Sequence, residues 1–294
     1  MILQTKIEFP PLQKRFTYQD SLLFIGSCFA NEIGNIMKDL SFDIDVNPLG
    51  VLYNPASIAS SLDRISSGTP FTKDDLIESQ GVIHSFYHHS SFGRESADLF
   101  LDNANRKLAE DYSHFRKCKF VVISLGTAWV FRHIKRDIIV SNCHKIHPNE
   151  FIRERLSVSE VVNLLSPLIE RYPDKEWIFT VSPIRHIKDT LHGNNLSKSI
   201  LLLAVDILEQ KYENVHYFPA YEIVMDELRD YRFYSEDMVH PSAQSVNYIW
   251  EHFVKYAIQE SEYEEIKRVE KANRSSRHRS IAGQNYKRLK IVVF

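Results

Sequence analysis

Two short stretches of the chain carry side chains that could do covalent chemistry together. Residues 26–28 read Gly-Ser-Cys, and residues 237–240 read Asp-Met-Val-His. A thiol or hydroxyl is a weak nucleophile until a base takes its proton, and the usual base is an imidazole held in the right tautomer by a carboxylate. Aspartate three residues before histidine lets one loop supply both the base, His240, and its orienter, Asp237. The chemistry served would be acyl transfer: attack on an ester or thioester carbonyl, then passage of the acyl group to water or to an acceptor hydroxyl. Neither stretch is decisive alone. Ser27 reads equally well as a helix N-cap and Cys28 as a small buried hydrophobe, and an Asp-x-x-His spacing also suits a metal pair or a plain surface loop.

The elements around these residues give them a common address. Residues 21–26 (SLLFIG) form an apolar run, after which Phe29, Ile33, Ile36, Met37 and Leu40 fall on one helical face: strand, tight turn, helix. Further strands are predicted at 119–126 (KFVVISLG), 176–182 (EWIFTVS) and in NVHYFPA near 215, with a second apolar run in FDIDVNPLGVLYNP. Helical periods follow at 56–65, 157–172, 196–212, 221–230 and 242–260, with Ser157 and Glu160 in capping-box spacing. This alternation predicts an α/β protein with a mostly parallel sheet. Such sheets bind ligands outside the carboxyl ends of their strands, where the Gly-Ser-Cys turn stands. A helix N-terminus there would lower a thiol pKa and offer N–H groups to an oxyanion. Residues 128–145 read as a hairpin turning at Lys135-Arg136-Asp137, and residues 68–118 as an insertion with its own helix near 97–116. In that insertion His84, His88 and His89 lie among aromatics, as exposed loop residues or as a surface for stacking on a sugar.

At 294 residues the chain makes one large domain or two small ones. With 44% hydrophobic and 25% charged residues it is neither disordered nor fibrous. Its net charge of -2 gives no global attraction to nucleic acid or anionic membrane. The three cysteines, Cys28, Cys118 and Cys143, are too few for a disulfide scaffold and read as thiols, so the cytoplasm is the expected compartment. No apolar run approaches a membrane span, and the opening residues lack a signal-type apolar core. From residue 267 to 290 nine Lys/Arg face one acid, Glu270, which reads as a solvated basic tail over 261–294. Cys143, His144 and His147 lack the second spaced pair that a structural zinc site needs, and no metal or other cofactor is expected.

FIGSCFA at 24–30 carries a resemblance to a known group of proteins. With NPLGVLYNP (47–55), SLGTAWVFR (124–132), NCHKIH (142–147), FTVSPIRHIKDTLHGNNLSKS (179–199) and the stretch 217–250, the chain resembles the GSCFA family of the SGNH/GDSL hydrolase superfamily over about residues 1–260. The resemblance implies a three-layer α/β/α sandwich on a five-stranded, mostly parallel, flavodoxin-like sheet. It also implies acyl-ester chemistry through a Cys(or Ser)-His-Asp triad. Laying Gly26-Ser27-Cys28 on the superfamily's Gly-Asp-Ser puts Cys28 at the nucleophile position, with Ser27 the alternative if the register slips. Superfamily oxyanion holes combine the nucleophile's N–H, a glycine N–H and an asparagine amide. Gly50 and Gly126 match the glycines, but Ala128 stands where the asparagine would be. Thr127, Asn54 and Asn142 follow strand ends and are candidates for the missing donor, the two asparagines reading equally well as turn residues. The resemblance also assigns His144 and Lys145 to the pocket wall, and position after the fourth strand adds Arg185 and His186. The expected activity is hydrolysis of an acylated carbohydrate or small ester. The alternatives are an acyltransferase drawing on acyl-CoA and a silent binding module of the same fold.

Overall fold

The computed structural model describes residues 4–281. Strand β1 (Ser21–Gly26) leads into helix α1 (Cys28–Asp39), β2 (Asp43–Val46) and α2 (Pro55–Ser67). A hairpin, β3 (Leu76–Ser79) and β4 (Val82–Ser85), precedes α3 (Ala97–Lys117) and β5 (Phe120–Leu125). A second small sheet follows, from β6 (Trp129–His133), β7 (Ile138–Val140) and β8 (Phe151–Arg155). The chain then runs through α4 (Val158–Arg171), β9 (Glu176–Val181), α5 (Thr190–Lys211) and β10 (Val215–Tyr217). A single turn, α6 (Ala220–Glu222), and two helices, α7 (Ala243–Ala257) and α8 (Tyr263–Ile281), complete it.

The central sheet has the order β10-β9-β5-β1-β2 and every neighbouring pair is parallel. This is the expected three-layer α/β/α fold with flavodoxin-like strand order. Period-two alternation explains the layers: Leu23, Ile25, Val121 and Ile123 join the core beneath α2, α3, α4 and α5. Leu22, Phe24, Phe120 and Val122 face the opposite core, with Phe29, Ile33 and Met37 of α1 and Phe253 of α7. β2 and β5 flank β1 on opposite sides, so the chain reverses direction across the sheet at β1. The crevice beyond β1 and β5 is therefore the topological switch point. Gly26 closes β1 at φ +130, and a Cβ there would lie 2.1 Å from the Ser124 carbonyl oxygen, so only glycine lets the two strand ends approach.

The hairpin expected across 128–145 is β6 and β7, with Asp137 at φ 48 in its turn. Its third strand, β8, was not legible in the sequence, because FIRER is short and mostly solvent-facing and carries no apolar alternation. The predicted helix over 221–230 is the α6 turn running into π-helical backbone at Ile223–Leu228, ended by Arg229 at φ 42. The capping box at Ser157 and Glu160 opens α4 as expected. Within 68–118, α3 places Phe100, Ala104, Leu108 and Phe115 in the core under the sheet. α8 seats Ile266 against the opposite core. Lys287, Arg288 and Lys290 of the basic stretch lie outside the described residues. Among the described residues no helix is long and apolar enough to cross a membrane.

Candidate active site

The turn after β1 separates its two candidate nucleophiles. Ser27 is buried, its N–H donates to the Ser124 carbonyl at 2.9 Å, and its hydroxyl pairs with that of Ser124 at 2.8 Å. It occupies the N-cap position without capping. Cys28, the first residue of α1, is only partly buried; both residues line the cleft above the sheet, but the Ser27 hydroxyl is turned to Ser124. Asn31 N–H is the first to bond back into α1, on the Ser27 carbonyl, so the N–H groups of Cys28, Phe29 and Ala30 precede the helical ladder.

The Asp237–His240 loop is a built turn. Asp237 Oδ1 accepts the N–H groups of Val239 and His240 at 2.9 Å each, and Oδ2 lies 2.6 Å from His240 Nδ1. These two backbone amides, and then the imidazole, hold the Asp237 carboxyl down at about 2. The pair therefore presents Nε2 of His240 away from the carboxylate. Both residues stand about half exposed and line, with Cys28, one cleft of about 740 Å³ over the switch point.

The Cys28 thiol departs from expectation, being pushed up to about 11. Burial is the main cause and Glu32, one turn on along α1, adds to it; the Cys28 amide and the Lys198 ammonium act in the opposite direction and lose. The helix N-terminus thus does not leave a resting thiolate.

The expected oxyanion donors are largely committed elsewhere. Gly50 is corrected: its N–H donates to the Asn47 carbonyl at 2.8 Å, its backbone turns at φ +94 against His89, and it is not among the cleft residues. Gly126 and Thr127 both donate their N–H groups to the Tyr53 carbonyl, at 2.8 and 2.9 Å. The Thr127 hydroxyl pairs with Ser197 Oγ at 3.1 Å and accepts from the Trp129 N–H. Ser197 Oγ also accepts the Ala128 N–H at 2.7 Å, so the residue standing in for asparagine is tied down at its backbone. Asn54 caps α2, its Oδ1 accepting from Ser57 N–H at 2.8 Å. Asn142 lines the cleft with its Oδ1 accepting from His144 N–H at 2.8 Å, which leaves its side-chain NH₂ as a candidate donor beside the N–H groups that open α1.

Of the expected wall residues, Arg185 and His186 line the cleft and His144 and Lys145 do not. Positive φ values of 48 and 58 turn the chain at these two, and His144 is buried with Nε2 2.8 Å from the Ser85 carbonyl. Asn142 and Cys143 take that stretch of wall instead. Arg185 lies over Tyr231 and Tyr234, while burial pushes His186 down to about 3. The insertion histidines are not a stacking surface for sugar in this cleft: His88 is wholly buried between Phe71 and Phe92, and His84 stacks on His144. Cys143, His144 and His147 point to different tasks, the last capping Asn149 through Nδ1.

Two features went unread in the sequence. The small sheet forms an aromatic and cationic wall, with Arg153 of β8 stacked 4.2 Å from the Phe131 ring centroid and held to Asp189 at 2.7 Å. The unread strand β8 hid it. Lys198 of α5 is fully buried below the cleft, its Nζ donating to the carbonyls of Gly126 at 2.5 Å and Ser182 at 2.6 Å. Burial pushes this lysine down to about 7. A signal existed: Lys198, Leu201 and Val205 share the buried stripe of α5, where a lysine is out of place.

An acetyl xylan esterase (Est2A) from the rumen bacterium Butyrivibrio proteoclasticus aligns at a TM-score of 0.40 and 13% identity, over 83% of this chain and 64% of that one. This chain thus spans under two thirds of that enzyme's length. No curated protein matches it. The model of the GSCFA family matches residues 21–253, from the first residue of β1 well into α7 and across both the Gly-Ser-Cys turn and the Asp237–His240 loop, and the chain belongs to that family.

Proposed function

We propose that the protein is an acyl-ester hydrolase working through a covalent thioester on Cys28. The observation that carries this is the Asp237–His240 pair, 2.6 Å apart, lining the same switch-point cleft as Cys28. Because the thiol is held protonated up to about 11, His240 acts as general base during attack rather than as partner of a preformed thiolate. The Cys28 proton passes to His240 Nε2 as sulfur bonds the ester carbon, and the carbonyl oxygen becomes an oxyanion. N–H groups at the start of α1, and the Asn142 amide, are the donors available to it. Collapse expels the alkoxide, which takes the proton from His240; water, activated by the same imidazole, then releases the acid. Trp129, Phe131 and Arg185 would hold the alcohol portion, a sugar or other small polyol. A second reading, transfer to an acceptor hydroxyl from a thioester donor such as acyl-CoA, is favoured by the nucleophile being a thiol, since thiol–thioester exchange is nearly balanced.

The test is intact-mass spectrometry after brief mixing with p-nitrophenyl acetate and, separately, acetyl-CoA. An acetyl adduct lost in Cys28→Ala and in His240→Ala, but kept in Ser27→Ala, is expected. Labelling only from the thioester would favour the transferase. An adduct that survives Cys28→Ala and vanishes in Ser27→Ala would overturn the thiol mechanism. No adduct from either donor would favour a binding module or an acyl group other than acetyl.

A further inference from the structure

A second cavity opens on the other side of the same pair. It holds about 430 Å³ between α1 and α7, and shares Cys28, Ser182, Ile184 and His240 with the main cleft. The two cavities differ in chemistry. The cleft carries Arg153, Arg185, Lys188 and Asp189 beside its aromatics. The groove is walled by Phe29, Ile33 and Ile36 of α1 and by Val246 and Ile249 of α7, with Glu32 and His240 its only titratable residues besides Cys28 among the described residues. An ester bound with its carbonyl at Cys28 has two arms, and these walls sort them. A hydroxyl-rich alcohol suits the polar cleft and an aliphatic chain suits the groove.

We infer that the groove between α1 and α7 is the acyl-chain site, and that the substrates are esters or thioesters of neutral, unbranched acyl chains well beyond acetyl in length. This rests on the acyl-transfer reading above and sharpens it to a substrate class. Continuity decides the occupant: the groove starts at the nucleophile itself, so what enters it is bonded to the carbon under attack. Glu32 on its wall disfavours acyl groups that end in a carboxylate, because two carboxylates would face each other across a partly desolvated cavity. The carbon chain gains by leaving water, about three- to fourfold in affinity for each methylene buried.

The experiment is a chain-length series of p-nitrophenyl esters, acetate to decanoate, on the full chain and on Val246→Trp and Ile36→Trp. These two variants fill the groove from opposite helices, so misfolding of one leaves the other to decide. kcat/KM should climb about threefold per methylene to octanoate, and the octanoate-to-acetate ratio should fall at least tenfold in either variant. Acetate turnover with a flat series overturns the acyl groove and leaves the hydrolase reading standing. If no ester turns over, that reading fails and alkylation of Cys28 still decides the groove. N-octyl iodoacetamide reacting at least tenfold faster than iodoacetamide, with the advantage lost in Val246→Trp, supports it; equal rates overturn it.

Discussion

The carboxyl edge of the sheet and the β3–β4 insertion both carry histidines among aromatic residues, and they use them in opposite ways. At the sheet edge His240 is 40% exposed at its side chain and bonded to a carboxylate that two backbone amides keep ionised. In the insertion His88 is 0% exposed, with neither ring nitrogen bonded, between two phenylalanines. Burial drives His88 down to about 3 and His144 to about 4, so both are neutral at physiological pH and serve as packing. A histidine's task is set by its partner and its access to water, and these come from the fold.

The largest expected effect breaks the comparison at its chemical end. Asp237→Asn should cut kcat/KM by roughly 10²–10⁴-fold, since an amide stabilises neither the tautomer nor the imidazolium. Circular dichroism should stay native, because the carboxylate is exposed. A loss below tenfold would mean that Asp237 does not orient His240.

At the packing end, His88→Ala should lower unfolding stability by roughly 2–4 kcal/mol, as emptying a large buried side chain does, with turnover changed only a few-fold. Urea denaturation and initial rates read the two effects separately. An activity loss equal to that of His240→Ala would put His88 into the chemistry and erase the contrast.

The same pair sharpens through pH. A histidine whose folded pKa lies below its unfolded value holds fewer protons when folded, so stability falls as pH drops from about 6.5 through about 4 and 3, by about 1.4 kcal/mol per unit for each such group. His88→Phe should remove one group's share of that slope. An unchanged slope would show that His88 does not titrate as a buried neutral base.

Lys198 gives the most local effect. Its folded value of about 7 lies below the ordinary 10.5, so the wild type should gain stability as pH rises from about 7 toward 10.5. Lys198→Met should lack this gain, measured as the difference between the two denaturation curves at each pH. A parallel pair of curves would place the ammonium in contact with water.

Local features of this protein were legible before any coordinates. The apolar run at 21–26, the helical face from Phe29 to Leu40, the Lys135-Arg136-Asp137 turn and the Ser157–Glu160 cap all depend on residues close together in the chain. So does the Asp237–His240 pair, whose geometry lies within one four-residue turn. The unread features are those without a local signal. β8 is a strand because β6 offers it an edge, and its exposed FIRER face has no apolar period. The burial of His144, whose Nε2 meets the Ser85 carbonyl, follows from loops packing on each other across a long separation.

The sequence by itself determined the alternation of strands and helices, the glycine that lets β1 and β5 close on each other, and the presence of a base and its carboxylate in one loop. Only the tertiary structure decided that Ser27 is buried against Ser124 while Cys28 is partly open, that the thiol is held up rather than down, and that an apolar groove adjoins the polar one. Orientation, desolvation and cavity shape are sums over neighbours distant in sequence. For Cys28 those neighbours are Lys198, Ile184 and His240, which no spacing along the chain brings together.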